Sequence, residues 1–439
     1  MRLLTTSAHA LLAISFVGAA APSPAADLSQ DAARRGAIAQ GWLRADDGQL
    51  LNVIIPPSAG DRFQHAEFSC WLPDAGLPVK AVIIHQHGCT NASPDKHPPV
   101  TMDFHWRALA RQHGCALLSP MYHVAKGCDE WNDPESGSER ALLAALAEFA
   151  HNAGRAELKD APWLLWGHSG GSSWSAQMIV RHPGRVLAAS FRGGCHKQFG
   201  DVEFRAKFAP AARELPLLFV WGKRETVPTS SHFVSWEPMN TMFRELRAQG
   251  GTVGRLIDPL SEHGCDDSRL VIIPFFDAVL SSKKHQGCLV DMATLQDDEL
   301  DAANLHDPKL AWLPNAALAK MWREFSENGT LHPVGPKLAA PQLTATRDAA
   351  GIVQLHWNVM PALDGGLRAL RIQRDGMLWK ELGVKAGARI SSPRDAPPEG
   401  LRVSGISDDS KEPHAYSLTF LDVAGNESPP SEVVRSPQS

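Results

Sequence analysis

One stretch constrains this chain more than any other: residues 162–174, which read P-W-L-L-W-G-H-S-G-G-S-S-W. An apolar run leads directly into the G-x-S-x-G pattern around Ser169, and a segment with helical spacing follows as far as Arg181. Glycines flank the serine because a side chain there would collide with the neighbouring strand or helix. The stretch predicts a strand, a strained turn and a helix, with the Ser169 hydroxyl projecting above a sheet.

Other short apolar runs, several of them rich in β-branched residues, predict the remaining strands of that sheet. The predicted strands are 63–72, 79–87, 115–119, 163–166, 186–191, 215–221 and 252–257. Segments with helical spacing lie at 32–41, 104–112, 138–152, 203–212, 233–249, 270–280 and 315–325. Strands that alternate with helices predict the α/β class, with a doubly wound and mostly parallel sheet whose connections are right-handed. The loops at the carboxyl ends of the strands should then share one edge.

The chain has 439 residues, which is more than one domain usually contains. Its character changes at 332–336, which read H-P-V-G-P, and beyond this point short alternating runs are separated by turn residues. The runs are 342–346, 353–357, 369–373, 415–420 and 432–435. We therefore expect an α/β domain at 27–331, a linker at 332–340 and a small all-β sandwich at 341–439.

The first 26 residues have the features of an export signal. Arg2 supplies a positive charge, residues 11–17 form an apolar core, and small residues at 24–26 form a cleavage site. The apolar core is too short to span a bilayer, and no later run of about 20 apolar residues follows. We expect a signal peptide at 1–26 and a secreted protein, periplasmic or extracellular, without a membrane span.

Charge argues against nucleic acid as the main partner. The formal net charge is −5, and no block of basic residues is present. The seven cysteines fit an oxidising compartment, and none of them forms a C-x-x-C pair, which argues against a zinc site. We predict no metal and no cofactor.

A serine nucleophile needs a general base, and the base needs a carboxylate that orients it. In a sheet of this type the acid and then the histidine follow the serine, each after a later strand. His263 lies on the polar loop after the last predicted strand and is the candidate base. Glu225 follows the strand 215–221 and is the candidate acid, with Asp258 as the main alternative and Asp201 as another.

The oxyanion of an acyl-transfer transition state requires two backbone N–H donors. Gly170, directly after the serine, is one candidate, and Cys89, after the strand ending in His87 and Gly88, is the other, with Thr90 as its alternative. Because cysteines fall on several loops of the same edge, we hypothesise two disulfides that clamp these loops. The hypothesised pairs are Cys89–Cys128 and Cys195–Cys265.

Several bulky side chains lie near the predicted site, and each has two interpretations. Five tryptophans are either packing residues or an aromatic wall for an acyl or sugar group. They are Trp131, Trp166, Trp174, Trp221 and Trp236. Arg192 at a strand end either contacts an anionic substrate or forms a surface ion pair. The loops 91–102, 122–137 and 196–210 are expected to shape the pocket.

Taken together, these motifs resemble an α/β-hydrolase over about residues 27–284. The resemblance is carried by His87-Gly88-Cys89, by 167–171, by Gly222-x-x-Glu225-x-x-Pro228 and by the His263 loop. The chain more narrowly resembles secreted bacterial hydrolases, and it is more distantly similar to polyester depolymerases and to feruloyl and acetyl esterases. It departs from the usual pattern in having Glu as the acid and in lacking an H-G-G-G loop.

The C-terminal part resembles a fibronectin type III module. Trp357 after an alternating strand, the motif R-D-G at 374–376, Tyr416 and the turn at 422–428 carry this resemblance. It implies a spacer, or a module that binds a polymer or a cell-surface partner, and it assigns no catalytic residue here.

The function expected from these features is that of a secreted serine hydrolase that cleaves carboxylic esters through an acyl-enzyme. Its triad would be Ser169, His263 and Glu225, and esters of polysaccharides or polyesters are its candidate substrates. A peptidase or amidase with the same triad is one alternative. The other is an inactive α/β-hydrolase domain that serves as a binding module.

Overall fold

The computed structural model describes most of the chain from residue 48 onwards. The described residues are 48–73, 77–89, 99–281, 287–298, 301, 304–331, 338–358, 366–384, 389–390, 395, 399–423 and 425–437. The predicted signal peptide at 1–26, the predicted helix at 32–41 and most of the predicted linker at 332–340 lie outside them. Within the described ranges, none of the helices has both the length and the apolar character needed to cross a bilayer.

Eight strands form the central sheet, in the order β1-β2-β4-β3-β5-β6-β7-β8. They are β1 Gln49–Ile55, β2 His65–Leu72, β3 Ala81–Gln86, β4 Cys115–His123, β5 Trp163–His168, β6 Val186–Arg192, β7 Leu217–Gly222 and β8 Val253–Asp258. β2 is antiparallel to both β1 and β4, whereas β3 to β8 pair in parallel. This mixed α/β architecture with a large, mostly parallel sheet fits an α/β-hydrolase.

Both faces of the sheet are covered by helices, because neighbouring residues of each central strand point to opposite faces. Val82 and Leu165 belong to one apolar cluster and Ile83 and Leu164 to the other. The helices are α1 Phe104–His113, α2 Ser138–Asn152, α3 Gly170–Arg181, α4 His196–Gly200, α5 Val202–Ala212, α6 Trp236–Ala248, α7 Arg269–Ser281 and α8 Ala316–Asn328. α1, α7 and α8 pack on one face and α2 to α6 on the other, which confirms the doubly wound prediction.

β4 runs four residues beyond the predicted strand 115–119. Its first part pairs with β3 over 115–118, and its later part pairs only with β2, up to His123 opposite His65. A proline at position 120 is tolerated there because this part of the strand has no partner on its other side. A small sheet that the sequence did not predict follows α7. Its strands are β9 Cys288–Asp291, β10 Asp297–Asp298 and β11 Leu310–Leu313.

The C-terminal part contains two antiparallel sheets, in the orders β12-β13-β16 and β15-β14-β17-β18. The strands are β12 Leu343–Arg347, β13 Val353–Trp357, β14 Leu367–Arg374, β15 Met377–Gly383, β16 Gly405–Asp408, β17 Ala415–Asp422 and β18 Val434–Arg435. Trp357 and Tyr416 are buried between them, and the Tyr416 hydroxyl donates to Asp408 at 2.8 Å. The arrangement is compatible with a fibronectin type III-like sandwich.

A buried charged cluster joins this part to the central sheet. Asp395 accepts hydrogen bonds from His85 Nε2 at 3.0 Å and from Trp106 Nε1 at 2.9 Å. Arg269 donates to Asp395 at 2.7 Å and to Asp103 at 2.6 Å. Burial raises the pKa of Asp395, but Arg269 and His85 together lower it to about 2. We call these five buried side chains the Asp395 cluster.

A second contact reaches the loop that follows β8. Arg389 pairs with Asp258 at the end of β8 and lies 3.5 Å from Asp267 at the far end of the same loop. Its guanidinium also donates to the carbonyl of Gly329. The C-terminal part therefore holds both ends of the loop 258–267.

Candidate active site

Ser169 occupies the turn between β5 and α3, in a conformation that is strained for a residue with a side chain. Its φ is 55° and its ψ is −116°. The steric reason for the flanking glycines is visible in the fold: a Cβ on Gly171 would lie 2.1 Å from the carbonyl oxygen of Gln86, and one on Gly167 would lie 2.6 Å from that of Gly171. The turn thus has the strand, strain and helix that a nucleophile elbow requires.

His263 and Glu225 are joined by a hydrogen bond of 2.6 Å between Nδ1 and Oε1. Glu225 lies in a short 3₁₀ turn, Lys223–Thr226, directly after β7, and its side chain is fully buried. Burial raises the pKa of Glu225, but Arg192, His263 and the N–H of Gly222 outweigh it and lower that pKa to about 2. An ionised carboxylate can only accept, so His263 carries a proton on Nδ1, and the neutral tautomer that this bond selects has its lone pair on Nε2.

Arg192, the last residue of β6, contacts the other oxygen of the Glu225 carboxylate and the backbone around His263. It donates to Glu225 Oε2 at 2.5 Å and to the Ser261 hydroxyl at 3.1 Å. It also donates to the carbonyls of Glu262 and Gly264, on either side of His263. Arg192 is completely buried, so both interpretations from the sequence, a substrate contact and a surface ion pair, are wrong. Its partners come from loops distant in sequence, and only the pairing of β6 beside β7 brings them together.

Two glycines separate Ser169 from the histidine. A Cβ on Gly194 would lie 2.1 Å from the carbonyl oxygen of Ser169, and one on Gly193 would lie 3.0 Å from Cε1 of His263. Both have positive φ, 63° for Gly193 and 88° for Gly194. A side chain at either position would push the segments around Ser169 and His263 apart, so glycines here let both segments approach at the same edge of the sheet. The pair G-G after a strand was the signal in the sequence that could have indicated this.

Two further histidines surround His263. His168 Nε2 donates to the carbonyl of His263 at 2.7 Å, and burial together with the charges of His263 and Arg192 lowers the pKa of His168 well below its ordinary value. His232 stacks on His263 with its ring centroid 3.8 Å away and the planes 5° apart. Burial, with His263 adding to it, also lowers the pKa of His232. No motif indicated His232, because it lies on a loop between β7 and α6.

The alternative acids are engaged elsewhere. Asp258 is buried, pairs with Arg389 and accepts from the N–H of Leu260 at 3.0 Å. Asp201 caps α5 by accepting from the N–H of Glu203 at 2.9 Å. Of the three carboxylates considered, Glu225 is the one in contact with His263.

On the other side of Ser169, Cys89 and Cys128 form the disulfide that the sequence suggested, across 39 residues of chain. A Cβ on Gly170 would collide with both sulfur atoms and would lie 3.6 Å from the backbone nitrogen of Cys89. Gly170 begins α3, so its N–H has no partner within the helix. The backbone nitrogen of Cys89 therefore lies beside Gly170, the residue after Ser169. Thr90, the alternative donor, lies outside the described residues.

The second hypothesised disulfide is wrong. Cys195 and Cys265 are separate, buried free thiols. Loops that share an edge need not bring two Cα atoms within the 4.4–6.8 Å or so that a disulfide requires.

A cavity of 630 Å³ opens above Ser169. Most of the residues that line it have polar side chains, and they come mainly from the turn at Ser169, from 128–133 and from the start of α4 at 196–198. The lining residues are Arg62, Cys89, Cys128, Asp129, Asn132, Asp133, Ser169, Gly170, Ser173, Gln177, Gly194, His196, Lys197 and Gln198. None of the five tryptophans lines it, and four of them are fully buried, so the aromatic wall is wrong for this cavity. Residues 91–98 of the first expected pocket loop lie outside the described residues.

No family model matches the sequence, and no curated protein matches it. Among solved structures, the chain is similar to the poly(3-hydroxybutyrate) depolymerase LpqC from Bordetella parapertussis, with 15% identity over 59% of this chain and 93% of that one, and a TM-score of 0.36. An S-formylglutathione hydrolase from Agrobacterium tumefaciens shows 15% identity over 54% of this chain and 95% of its own, with a TM-score of 0.35. An acetyl xylan esterase from Aspergillus awamori shows 14% identity over 46% of this chain and 78% of its own, with a TM-score of 0.32. At these values the similarities carry no weight for activity.

Proposed function

We propose that this protein is a serine hydrolase that cleaves carboxylic esters through an acyl-enzyme. The observation that carries the proposal is the 2.6 Å hydrogen bond between His263 and the buried, ionised Glu225, at the same edge of the sheet as the strained Ser169. A strained serine, a histidine with a free Nε2 and a fixed carboxylate are the three groups that nucleophilic acyl transfer requires.

In the first half of the proposed reaction, Ser169 Oγ attacks the ester carbonyl carbon while its proton passes to His263 Nε2. The N–H groups of Gly170 and Cys89 donate to the oxyanion of the tetrahedral intermediate. When the intermediate collapses, the bond to the alcohol oxygen breaks and His263 returns the proton to that oxygen. The products of this half are the free alcohol and acyl-Ser169.

In the second half a water molecule replaces the alcohol. His263 removes a proton from the water as it attacks the acyl carbon, and then returns that proton to Ser169 Oγ as the acid leaves. Glu225 stabilises the imidazolium that forms twice in each cycle, because it stays ionised beside Nδ1. Arg192 keeps the carboxylate in place by pairing with its other oxygen.

The cavity supports a polar substrate. Side chains able to form hydrogen bonds, including Asn132, Gln177 and Lys197, line it beside Ser169. Esters of polysaccharides or polyesters, which present many oxygen atoms, suit such a lining better than long acyl chains do.

Export to the periplasm or the outside of the cell is part of the same proposal. The Cys89–Cys128 disulfide at the site supports it, since such bonds persist in oxidising compartments.

The proposal is tested with a fluorophosphonate probe, which reacts with activated serines. Wild-type protein should be labelled, Ser169→Ala should not, and Ser175→Ala, which changes a buried serine on the same helix, should be labelled as wild type is. A wild-type protein that stays unlabelled while folded would favour the binding-module alternative. Equal turnover of matched ester and anilide substrates would favour the amidase alternative, and turnover of the ester alone would support an esterase.

A further inference from the structure

Three side chains with metal-binding atoms converge away from the triad, at the end of β4. His65 and Glu67 are two residues apart on β2, so they point to the same face of the sheet. His123 ends β4 and lies directly opposite His65 in the antiparallel register. The pairing of the two strands therefore places two imidazoles and one carboxylate together.

The distances between these groups are those of a metal-binding set. Oε1 of Glu67 lies 3.4 Å from Nε2 of His65 and 3.1 Å from Nε2 of His123, and one ligand atom from each residue lies within 4.8 Å of the others. A tetrahedral zinc ion with ligands at about 2.0–2.2 Å separates its ligand atoms by about 3.3–3.5 Å. To bind one ion, the two imidazole rings would tilt out of their parallel stacking so that both Nε2 lone pairs point at it.

The arrangement is less suited to a simple ion pair. The two imidazole rings stack in parallel, with centroids 4.0 Å apart and planes 12° apart, which would be repulsive if both were protonated. An unprotonated imidazole has a lone pair on Nε2, and the Nε2 atoms of both rings lie beside the carboxylate of Glu67, which can also bind a cation.

We propose that His65, Glu67 and His123 bind a zinc ion, with water at the fourth position. All three side chains are partly exposed, at 38%, 31% and 25%, which leaves room for that water. The prediction of no metal rested on the spacing of the cysteines, and this set contains no cysteine. Neither residue of the proposed base–acid pair belongs to it, so the proposal is independent of the catalytic one.

The position of the site suggests what the ion does. His65 follows Arg62, which lines the cavity, by three residues, and His123 precedes Cys128 by five. The N–H of Gln64 already donates to the carbonyl of His123 at 2.7 Å. An ion bound here would tie the segment before β2 to the loop that carries the disulfide, and so would fix one side of the cavity.

The test uses the full chain purified without a polyhistidine tag and treated with a chelator. Titration with Zn²⁺ followed by calorimetry should give one saturable site, and Zn²⁺ should raise the melting temperature. Co²⁺ in its place should give the visible spectrum of a tetrahedral ion. His123→Ala and Glu67→Gln should each weaken Zn²⁺ binding by more than about 100-fold, since even the loss of an outer-shell contact costs 10–100-fold.

The matched control is His182→Ala. His182 lies 2.7 Å from Glu139, so this variant removes a histidine from a histidine–carboxylate pair that lacks the second histidine. It should bind Zn²⁺ as wild type does, and so should Ser169→Ala, whatever its activity. The proposal is wrong if wild type shows no saturable Zn²⁺ binding, or if folded His123→Ala, checked by circular dichroism, binds Zn²⁺ as tightly as wild type.

Discussion

Two buried constellations among the described residues each contain a carboxylate, a histidine and an arginine. Glu225 holds His263 and is paired with Arg192, and the Asp395 cluster repeats the same set of groups on another part of the sheet. Both carboxylates are buried, and both have a pKa of about 2. Each histidine also stacks on a neighbouring ring. The ring centroids of His263 and His232 are 3.8 Å apart, and those of His85 and Trp166 are 3.7 Å apart.

The two constellations differ in the solvent exposure of their histidines. The side chain of His263 is 18% exposed, lies on a loop and has a serine segment beside it, whereas that of His85 is 4% exposed and lies within β3. His85 also directs Nε2 at its carboxylate. The two acid–histidine pairs therefore differ in position: His263 lies at the edge of the sheet that carries Ser169, whereas His85 is enclosed within the sheet. In the Asp395 cluster the same chemistry binds two parts of the chain together.

The largest expected effect comes from Glu225→Gln. An amide can donate to Nδ1 and thereby favour the wrong tautomer of His263, so kcat for a chromogenic ester should fall by on the order of 10⁴-fold. Asp395→Asn, which makes the same chemical change in the other cluster, should leave kcat of the folded protein within about tenfold. Steady-state kinetics on both variants, with circular dichroism as a check of folding, would contradict the comparison if both lost kcat equally.

Asp395→Asn should act on stability instead. It leaves Arg269 with Asp103 as its one remaining carboxylate and removes the charged partner of His85. The free energy of unfolding should fall by about 3 kcal/mol, near the lower end for breaking a buried ion pair. Urea unfolding followed by tryptophan fluorescence measures this, and an unchanged midpoint would show that the cluster does not join the two parts.

Acid should weaken both constellations. Folding lowers the pKa of Glu225 from 4.5 to about 2 and that of Asp395 from 3.8 to about 2. The stability from these groups is present above the higher, unfolded values and is lost as pH falls towards 2, by about 3 kcal/mol for Glu225 and about 2 kcal/mol for Asp395. Urea unfolding between pH 7 and pH 3 should show a shallower dependence in Glu225→Gln and in Asp395→Asn than in wild type.

The smallest effect concerns the ring that stacks on His263. His232→Ala should lower kcat by about 3- to 10-fold, because an aromatic contact is worth about 0.5–1.5 kcal/mol. His232→Phe keeps a ring at this position and should stay within about twofold of wild type. If the two variants behave alike in kcat and KM, stacking does not position the base.

Local patterns were enough to predict one constellation and not the other. Ser169, Glu225 and His263 each follow a strand of recognisable character, and parallel strands carry their ends to one edge. The Asp395 cluster joins residues as much as 310 positions apart, and neither His85 within an apolar strand nor Asp395 between strands belongs to a motif.

Of the two interpretations of the tryptophans, packing is correct for the four buried ones, and the aromatic wall is wrong for a related reason. Proximity to a strand end does not tell which face a side chain occupies, and Trp166 and Trp221 point into the two apolar layers rather than to the edge. Arg192 was noticed in the sequence, but its partners lie on loops that only the assembled sheet brings near it.

The contacts of Arg389 and Asp395 have a practical consequence for anyone who would shorten this protein. The stretch H-P-V-G-P at 332–336 looks like a natural place to truncate the chain. A fragment ending there would lose Arg389, the partner of Asp258 and Asp267, and Asp395, a partner of Arg269. Asp258, Asp267 and Arg269 are charged and buried, so this loss should be costly. Such a fragment should be insoluble or short-lived, and grafting the C-terminal sandwich onto another enzyme should not reproduce its role here. The C-terminal sheets thus contribute to the stability of the α/β domain through Arg389 and Asp395.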